Sequence, residues 1–155
     1  ARASYLGDTD GVVDYKIEQL PTTVPTFANS DLNEPALHLE FADGSRLTDL
    51  RYVSHSYSPG KPGMPGLPST RGDDTATTLE IVLADALTAV RCVVSVTAFA
   101  RHDVFAQHLT VLNQGGEPLT IERAMSIHLP VPHSDLDLIT LTGAWGREAH
   151  VTRRL

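Results

Sequence analysis

The feature that most constrains this chain is a run rich in proline and glycine at residues 59–68. These ten residues hold four of the chain's ten prolines and three of its eleven glycines. Proline has no N–H to donate and glycine relaxes φ, so the run cannot form a helix or a central β-strand. Lys61, Met64 and Leu67 interrupt it at nearly regular spacing. The pattern favours an extended, polyproline-like segment laid over a surface, with these three side chains as anchors.

The residues on both sides of this run alternate between apolar and polar side chains, as half-buried β-strands do. No segment shows a capped helical periodicity. Long strands joined by short turns predict an all-β fold, a large antiparallel β-sandwich formed by a single domain. The predicted strands cover residues 12–20, 35–41, 46–57, 75–83, 90–99, 103–112, 117–129, 136–141 and 147–151.

Two turn signals in the sequence predict β-hairpins. The pair Asp43-Gly44 would join the strand at 35–41 to the one at 46–57. The turn at residues 113–116 would join the strand at 103–112 to the one at 117–129. In this second hairpin, His108 and His128 would pack against each other across the two strands.

The composition of the chain excludes several classes of protein. Its 155 residues suffice for one domain with a core, and a net charge of −7 with scattered Arg and Lys argues against nucleic-acid binding or an anionic membrane surface. No apolar run is long enough for a membrane span or a signal peptide. The single cysteine, Cys92, lies among valines and is predicted to be a buried strand residue. A reducing compartment is compatible with this, and we expect a cytoplasmic location.

Both ends of the chain suggest a piece of a longer protein. The sequence starts at Ala1 without an initiator methionine and stops at Leu155 within a strand-like pattern. We therefore expect residues 1–155 to be one domain that is truncated at both ends.

The residues alone show no catalytic constellation. Seven histidines are scattered without metal-ligand spacing, so no metal site and no cofactor are predicted. No serine stands in a Gly-x-Ser-x-Gly setting. Asp73 and Asp74 are predicted to form a solvated turn, whereas Asp135 and Asp137 either bind a cation or sugar hydroxyls or simply face solvent. His55 either makes a structural or binding contact or is an ordinary strand histidine.

Several motifs, in order along residues 18–155, resemble the amino-terminal domain of bacterial α-galactosidases of glycoside hydrolase family 36. Upstream, residues 31–36 (Asp-Leu-Asn-Glu-Pro-Ala) stand where that family has Gly-Asp-Phe-Arg-x-Pro-Ala. The other motifs are Asp49-Leu-Arg-Tyr52 with His55, the run from Gly60 to Ser69, the strand from Ala76 to Leu83, Asp103-Val104, Asn113-Gln-Gly115, and Gly143-Ala-Trp145 with Glu148.

The resemblance implies a β-supersandwich, similar to galactose mutarotase, and a parent enzyme that hydrolyses terminal α-galactosides such as melibiose or raffinose. In the family, two aspartates of a separate (β/α)₈ barrel perform retaining catalysis. No motif of that barrel occurs here, so we expect no catalytic residue in this chain and no activity of the chain alone. Its implied partners are its own catalytic barrel, neighbouring subunits and, through the parent enzyme, a galactose-containing oligosaccharide.

The resemblance also implies roles for individual residues. Asp31 matches an aspartate that reaches the sugar pocket of a neighbouring subunit, with Asn33 in place of the family's arginine, so both are candidate substrate-binding residues; a turn or cap role for Asp31 is the alternative. Lys61, Met64 and Leu67 are candidate interface residues. Trp145 is a fourth, expected where the sandwich meets the barrel, with a core position or a sugar-stacking role as alternatives.

Two further functions remain open on the sequence. One is a stand-alone carbohydrate-binding or interaction module. The other is an enzyme similar to aldose epimerases, which would use a histidine and a carboxylate on the same general type of sandwich.

Overall fold

The computed structural model describes residues 22–27, 34–129 and 137–154. Eight antiparallel β-strands and no helix lie within these ranges, which confirms the predicted all-β antiparallel fold. Accordingly, the described residues contain no helix that could span a membrane. The strands are β1 (Leu37–Phe41), β2 (Arg51–Pro59), β3 (Ala76–Ala84), β4 (Val90–Phe99), β5 (Val104–Asn113), β6 (Leu119–Ala124), β7 (Leu138–Ala144) and β8 (Arg147–Arg154).

The strands form three sheets. Four consecutive strands make the largest one, in the order β2-β3-β4-β5. β1 pairs with β6, and β7 pairs with β8. The predicted strand at residues 12–20 lies outside the described residues.

The four-stranded sheet has two faces of different chemistry, because directly opposed residues of antiparallel strands point to the same side. The outer face carries charged side chains, among them Arg51, Glu80 and Arg91. The inner face carries none. Its positions are Tyr52, His55, Tyr57, Pro59, Thr77, Leu79, Ile81, Leu83, Val90, Cys92, Val94, Val96, Ala98, Phe105, Gln107, Leu109, Val111 and Asn113.

The hydrophobic core forms where β1 and β6 pack on one part of the inner face. Leu37 and Leu39 of β1 meet Val90 and Cys92 of β4, and each of these residues is at most 1% exposed. This confirms that Cys92 is a buried strand residue. Burial raises the pKa of the Cys92 thiol to about 11, so the thiol stays protonated and unreactive near neutral pH.

Both hairpin predictions are right about the turn and wrong about the pairing. Gly44 sits at a φ of 79°, and the Phe41 N–H bonds the Ser45 carbonyl at 3.0 Å, so the first turn is present. The chain then leaves β1 altogether, since β1 pairs with β6 and β2 pairs with β3. The second turn likewise connects β5 to a strand in a different sheet, so His108 and His128 do not lie on paired strands.

The physical reason lies in the residues that follow the first turn. Thr48 donates its N–H to the carbonyl of Phe27 at 2.7 Å, and the Thr26 hydroxyl bonds the Thr48 carbonyl at 2.6 Å. The backbone groups of Thr48 are therefore bonded to residues 26–27. The chain that follows the first turn is thus drawn away from β1, and Leu37 to Phe41 pair with Leu119 to Ala124 in a separate two-stranded sheet.

A buried carboxylate, Asp85, fixes the turn between β3 and β4. The side chain accepts hydrogen bonds from the N–H groups of Leu87 at 2.8 Å and of Asp49 at 2.9 Å, which ties the turn to the start of β2. Burial alone would raise the pKa of Asp85, but the N–H groups of Leu87, Asp49 and Thr88 together outweigh it, so the pKa lies below its ordinary value.

We predict that Asp85→Asn destabilises the protein at neutral pH by about 1–3 kcal/mol, because the part-buried N–H groups of Asp49 and Leu87 lose their charged acceptor. The pKa of Asp85 is lower in the folded protein than in the unfolded one, so its charge stabilises the folded protein at pH values above the unfolded-state pKa. This stabilisation is lost as the pH falls through the folded-state pKa. The gap between the unfolding free energies of wild type and variant, measured by urea denaturation, should therefore narrow below about pH 4. A gap independent of pH would contradict this role of the Asp85 charge.

Candidate functional site

The proline- and glycine-rich run forms a strap, here residues 60–75, which connects β2 to β3. Its two ends are held together, since the Gly60 N–H donates to the Ala76 carbonyl at 2.7 Å. The hydroxyl of Thr78 donates to the Gly60 carbonyl at 2.7 Å. The strap also folds back on itself: a Cβ at Gly72 would lie only 2.7 Å from the backbone nitrogen of Lys61. The strap is therefore a close-packed surface loop.

The three predicted anchors of the strap differ in their surroundings. Lys61 and Met64 are half-buried, and the Lys61 ammonium bonds the Pro62 carbonyl at 3.4 Å. Leu67 follows a turn closed by its own N–H on the Met64 carbonyl at 3.1 Å, and it is 66% exposed. Leu67 is thus an apolar side chain that the described residues leave largely open to solvent.

A cluster of three aromatic side chains precedes the strap on β2. The Tyr52 hydroxyl lies 2.6 Å from Nδ1 of His55, and the rings of His55 and Tyr57 stack edge to face with centroids 5.6 Å apart. Together with Leu79 and Ile81 they line an open groove of about 250 Å³. His55 is therefore a hydrogen-bonded histidine with one ring nitrogen held by Tyr52.

Sequence alternation could not have revealed this aromatic cluster. Tyr52 and His55 are three residues apart, which places them on opposite faces of a regular strand. The register of β2 against β3 shifts between Tyr52 and Ser54, and this β-bulge turns both rings to the inner face. Only the bulge brings Tyr52, His55 and Tyr57 together.

Trp145 stands at the tip of the β7–β8 hairpin and is 99% exposed. The tip turns at Gly146, where φ is 73°, and the Gly146 N–H donates to the Glu148 carboxylate at 2.9 Å. Below the tip, Gly143 packs so closely that a Cβ there would lie 2.9 Å from Cα of Glu148. The turn thus presents the Trp145 indole on a tightly built support. The alternative of a core position for Trp145 is therefore not met among the described residues, and its expected contact with the barrel stays a prediction.

The hairpin that carries Trp145 is amphipathic. Leu141 and Val151 lie opposite each other on one side and are 69% and 70% exposed, whereas Thr140 and Thr152 pair on the other side. Asp137 and Arg153 form an ion pair at its base. Its apolar side is a second surface of the domain that the described residues leave open to solvent.

The remaining predicted residues are not brought into one site. Asp31, Asn33 and Asp135 lie outside the described residues, and no group of three possible metal ligands occurs among those that are described. Asp73 is not simply exposed to solvent, because its carboxylate accepts hydrogen bonds from the hydroxyl and the N–H of Thr75. These two bonds, the hydroxyl bond first, hold the pKa of Asp73 below its ordinary value.

The described histidines are likewise used separately. His38 lies 3.0 Å from the Glu122 carboxylate, at an angle unsuited to a hydrogen bond. Nδ1 of His128 lies 3.0 Å from the Thr22 carbonyl. The Glu122 carboxylate beside His38 also pairs with Arg46, which in turn pairs with Glu40. Neither contact brings a histidine to a nucleophile, so both serve local structure.

Comparison with protein families shows to which kind of domain these surfaces belong. The family described as the glycosyl hydrolase family 36 N-terminal domain matches residues 2–155. The chain belongs to this family. The family predicted from the motifs is thereby confirmed.

Relatives and solved structures agree with this assignment. α-Galactosidase AgaA from Geobacillus stearothermophilus is 39% identical over 142 residues, 90% of this chain and 20% of the relative. Probable α-galactosidase C from Aspergillus terreus is 37% identical over 84% of the chain and 18% of its own length. The match to a crystal structure of an AgaA variant in complex with raffinose covers 90% of this chain and 20% of that one, at 39% identity and a TM-score of 0.86.

The match to the crystal structure of the α-galactosidase from Lactobacillus brevis covers 89% of this chain and 19% of that one, at 31% identity and a TM-score of 0.84.

The chain therefore spans about a fifth of the length of the relatives that it matches. The strap, the aromatic cluster and the Trp145 hairpin are consequently surfaces of an amino-terminal domain.

We predict that Gly72→Ala destabilises the protein by about 1–3 kcal/mol, because the new Cβ forces the backbone of Lys61 to move. Gly63→Ala is the matched control, since nothing lies within 4 Å of a Cβ there. It should change stability by at most about 0.5 kcal/mol. Urea denaturation gives the free energies of unfolding, and limited proteolysis reports opening of the strap. Equal stability of the two variants would show that the strap does not fold back as described.

Proposed function

We propose that the full-length protein is an α-galactosidase and that this chain is its non-catalytic amino-terminal domain. The observation that carries the proposal is the match of residues 2–155 to the family 36 N-terminal domain, together with relatives that are named α-galactosidases. Crystal structures of AgaA variants in complex with raffinose and with stachyose suggest the substrate class. We therefore propose terminal α-galactosides of oligosaccharides as substrates.

The carboxylates of the described residues support a non-catalytic role. A retaining glycosidase needs two carboxyl groups about 5–5.5 Å apart that face the same sugar. Here Asp85 holds a turn, Asp73 caps another, and Glu122 bonds Arg46 at 3.3 Å. These groups are engaged in structure, which fits a reaction that takes place in another part of the protein.

In the same proposal the domain takes part in oligomerisation and in completing the sugar pocket. Leu67 and Trp145 are exposed apolar side chains on close-packed turns, which is how residues that dominate interfaces are presented. Lys61 and Met64 would support the strap at such an interface. Asp31 and Asn33 would reach the pocket, where a carboxylate can accept charge-assisted hydrogen bonds from sugar hydroxyls.

A cytoplasmic location completes the proposal. The only cysteine of the chain is buried in the core, so the domain depends on no disulfide and suits a reducing compartment.

The decisive experiment measures hydrolysis of raffinose and of p-nitrophenyl α-galactoside. The full-length protein should release galactose from both, whereas residues 1–155 alone should release none. A full-length protein that is inactive on every α-galactoside, while it is folded by circular dichroism, would overturn the proposal.

We predict that Asp31→Ala in the full-length protein lowers kcat/KM for raffinose by roughly tenfold to a hundredfold, the usual effect of losing a charge-assisted hydrogen bond. Asp74→Ala is the matched control, because that carboxylate is 75% exposed and pairs with Arg101 on the surface. It should leave the kinetics unchanged. Unchanged kinetics of Asp31→Ala would reduce Asp31 to a turn residue.

We predict that Trp145→Ala weakens the contact between this domain and the barrel by about 2 kcal/mol or more, because tryptophans at the centre of interfaces dominate interface energies. Urea denaturation of the full-length protein gives the free energy of unfolding. Leu87→Ala, at a residue that is 95% exposed on a turn, is the control and should have no effect. An unaltered free energy of unfolding in Trp145→Ala would remove Trp145 from the contact between sandwich and barrel.

A further inference from the structure

Two short stretches of chain before β1 are held side by side. The Ala36 N–H donates to the Pro25 carbonyl at 2.8 Å, and the Leu37 N–H donates to the same oxygen at 3.3 Å. Pro25 and Pro35 are each less than 2% exposed, so this contact lies in the interior of the domain. We call the two stretches, residues 25–27 and 34–36, the neck. The neck brings together two parts of the chain that residues 28–33 separate.

The first stretch of the neck is fixed at Phe27. The Phe27 carbonyl accepts a hydrogen bond from the Thr48 N–H at 2.7 Å. The Phe27 ring meets the ring of His38 edge to face, with centroids 4.6 Å apart. The backbone and the side chain of Phe27 are therefore both held, by residues that lie before and after the turn at Gly44.

Arg123 of β6 fixes the second stretch. Its Nη1 donates to the Pro35 carbonyl at 3.3 Å and also pairs with the Glu34 carboxylate. The Glu34 side chain is 72% exposed, and exposed ion pairs contribute little to stability. The bond to the Pro35 carbonyl is part-buried and charge-assisted, so we assign the larger effect to it. Beside it the Met125 N–H donates to the Ala36 carbonyl at 2.8 Å, so β6 holds two successive residues of the neck.

Residues 28–33 connect the two stretches of the neck. Asp31 and Asn33, to which the proposed function assigns the contact with sugar, belong to this segment. A side chain that binds a substrate has to be held to within about 0.5 Å, and residues that do not touch the substrate supply this support. Arg123 bonds the residues directly after Asn33, so it is placed to give that support. Arg123 and Pro35 are 88 residues apart in the chain, so no local pattern links them.

We propose that Arg123 is a positioning residue for the sugar pocket. Its guanidinium fixes the backbone at Glu34 and Pro35, and this fixes where the preceding residues, Asp31 and Asn33, leave the domain. Arg123 acts through these residues and does not itself touch the sugar. This role rests on the proposed function, in which Asp31 contacts the sugar.

The experiment measures kcat and KM for raffinose in the full-length protein with Arg123→Met and with Arg123→Lys. Methionine keeps an unbranched apolar stem without a donor, whereas the lysine ammonium can still donate to the Pro35 carbonyl. We expect Arg123→Met to raise KM about fivefold to tenfold and to change kcat less than about twofold, because sugar binding is weakened without loss of the catalytic groups. Arg123→Lys should return KM to within about twofold of the wild-type value.

Combining Arg123→Met with Asp31→Ala separates positioning from a general structural loss. Residues that act through one contact are not additive, so Arg123→Met should have no further effect on KM once Asp31 is replaced. A merely structural role would give the same loss in both backgrounds. Arg101→Met is the matched control, because Arg101 pairs with Asp74 on the surface and its side chain is 61% exposed. It should leave both kinetic constants unchanged.

The wild-type activity distinguishes this role from the proposed function. If the wild type hydrolyses raffinose, an unchanged KM in Arg123→Met, or equal losses in the two backgrounds, overturns the role of Arg123 and leaves the proposed function standing. Unchanged kinetics of Asp31→Ala overturn it too, because no sugar contact then remains to be positioned. A folded wild type that is inactive on every α-galactoside overturns the proposed function, and the role of Arg123 falls with it.

Hydrogen exchange of the full-length protein tests the neck without reference to activity. The amides of Ala36 and Leu37, which bond the Pro25 carbonyl, should exchange about tenfold faster in Arg123→Met than in the wild type, because the neck opens more often. The amides of β4 should exchange at the same rate in both proteins. Equal exchange of Ala36 and Leu37 in the two proteins would show that Arg123 does not fix the neck, and it overturns the proposal.

Discussion

The packing of Leu37 and Leu39 against Val90 and Cys92 is the contact on which the rest of this domain depends. Each leucine contributes about 1.5–3 kcal/mol when it is fully buried, and both are 1% exposed. To make this contact, β1 lies across the sandwich from β4 and takes β6 as its strand partner. The same contact leaves β2 free to pair with β3, which places the strap and the aromatic cluster at the edge of the four-stranded sheet.

Two local irregularities then determine which side chains lie at this edge of the sheet. The bulge at Val53 turns Tyr52 to the side of His55 and Tyr57, and their hydrogen bond and edge-to-face contact form one cluster. The strap that follows is held shut at Gly60 and folds back at Gly72, so it can present Leu67 on a fixed turn. Neither feature performs chemistry by itself. Both shape surfaces that the proposed function assigns to contacts with other parts of a full-length protein.

The domain buries only part of its own apolar surface. Exposed apolar side chains occur at several places among the described residues, including Tyr57 and Phe105 on the four-stranded sheet, Leu67 of the strap, and Trp145 of the β7–β8 hairpin. The chain spans about a fifth of the length of its relatives, and the proposed function assigns these surfaces to contacts within a longer protein.

The sequence by itself determined the class of fold, the family and most strand positions, because the two-residue alternation and the motifs are local signals. The strand predicted at 90–99 coincides with β4, and Cys92 was placed in the core from its valine neighbours. Only the tertiary structure decided that the turns at Gly44 and Gly115 do not close hairpins and that Tyr52 meets His55. Turn residues specify a change of direction, whereas strand pairing and a bulge are set by contacts between residues far apart in the chain. Leu39 and Ile121 pair for this reason, although no local pattern links them.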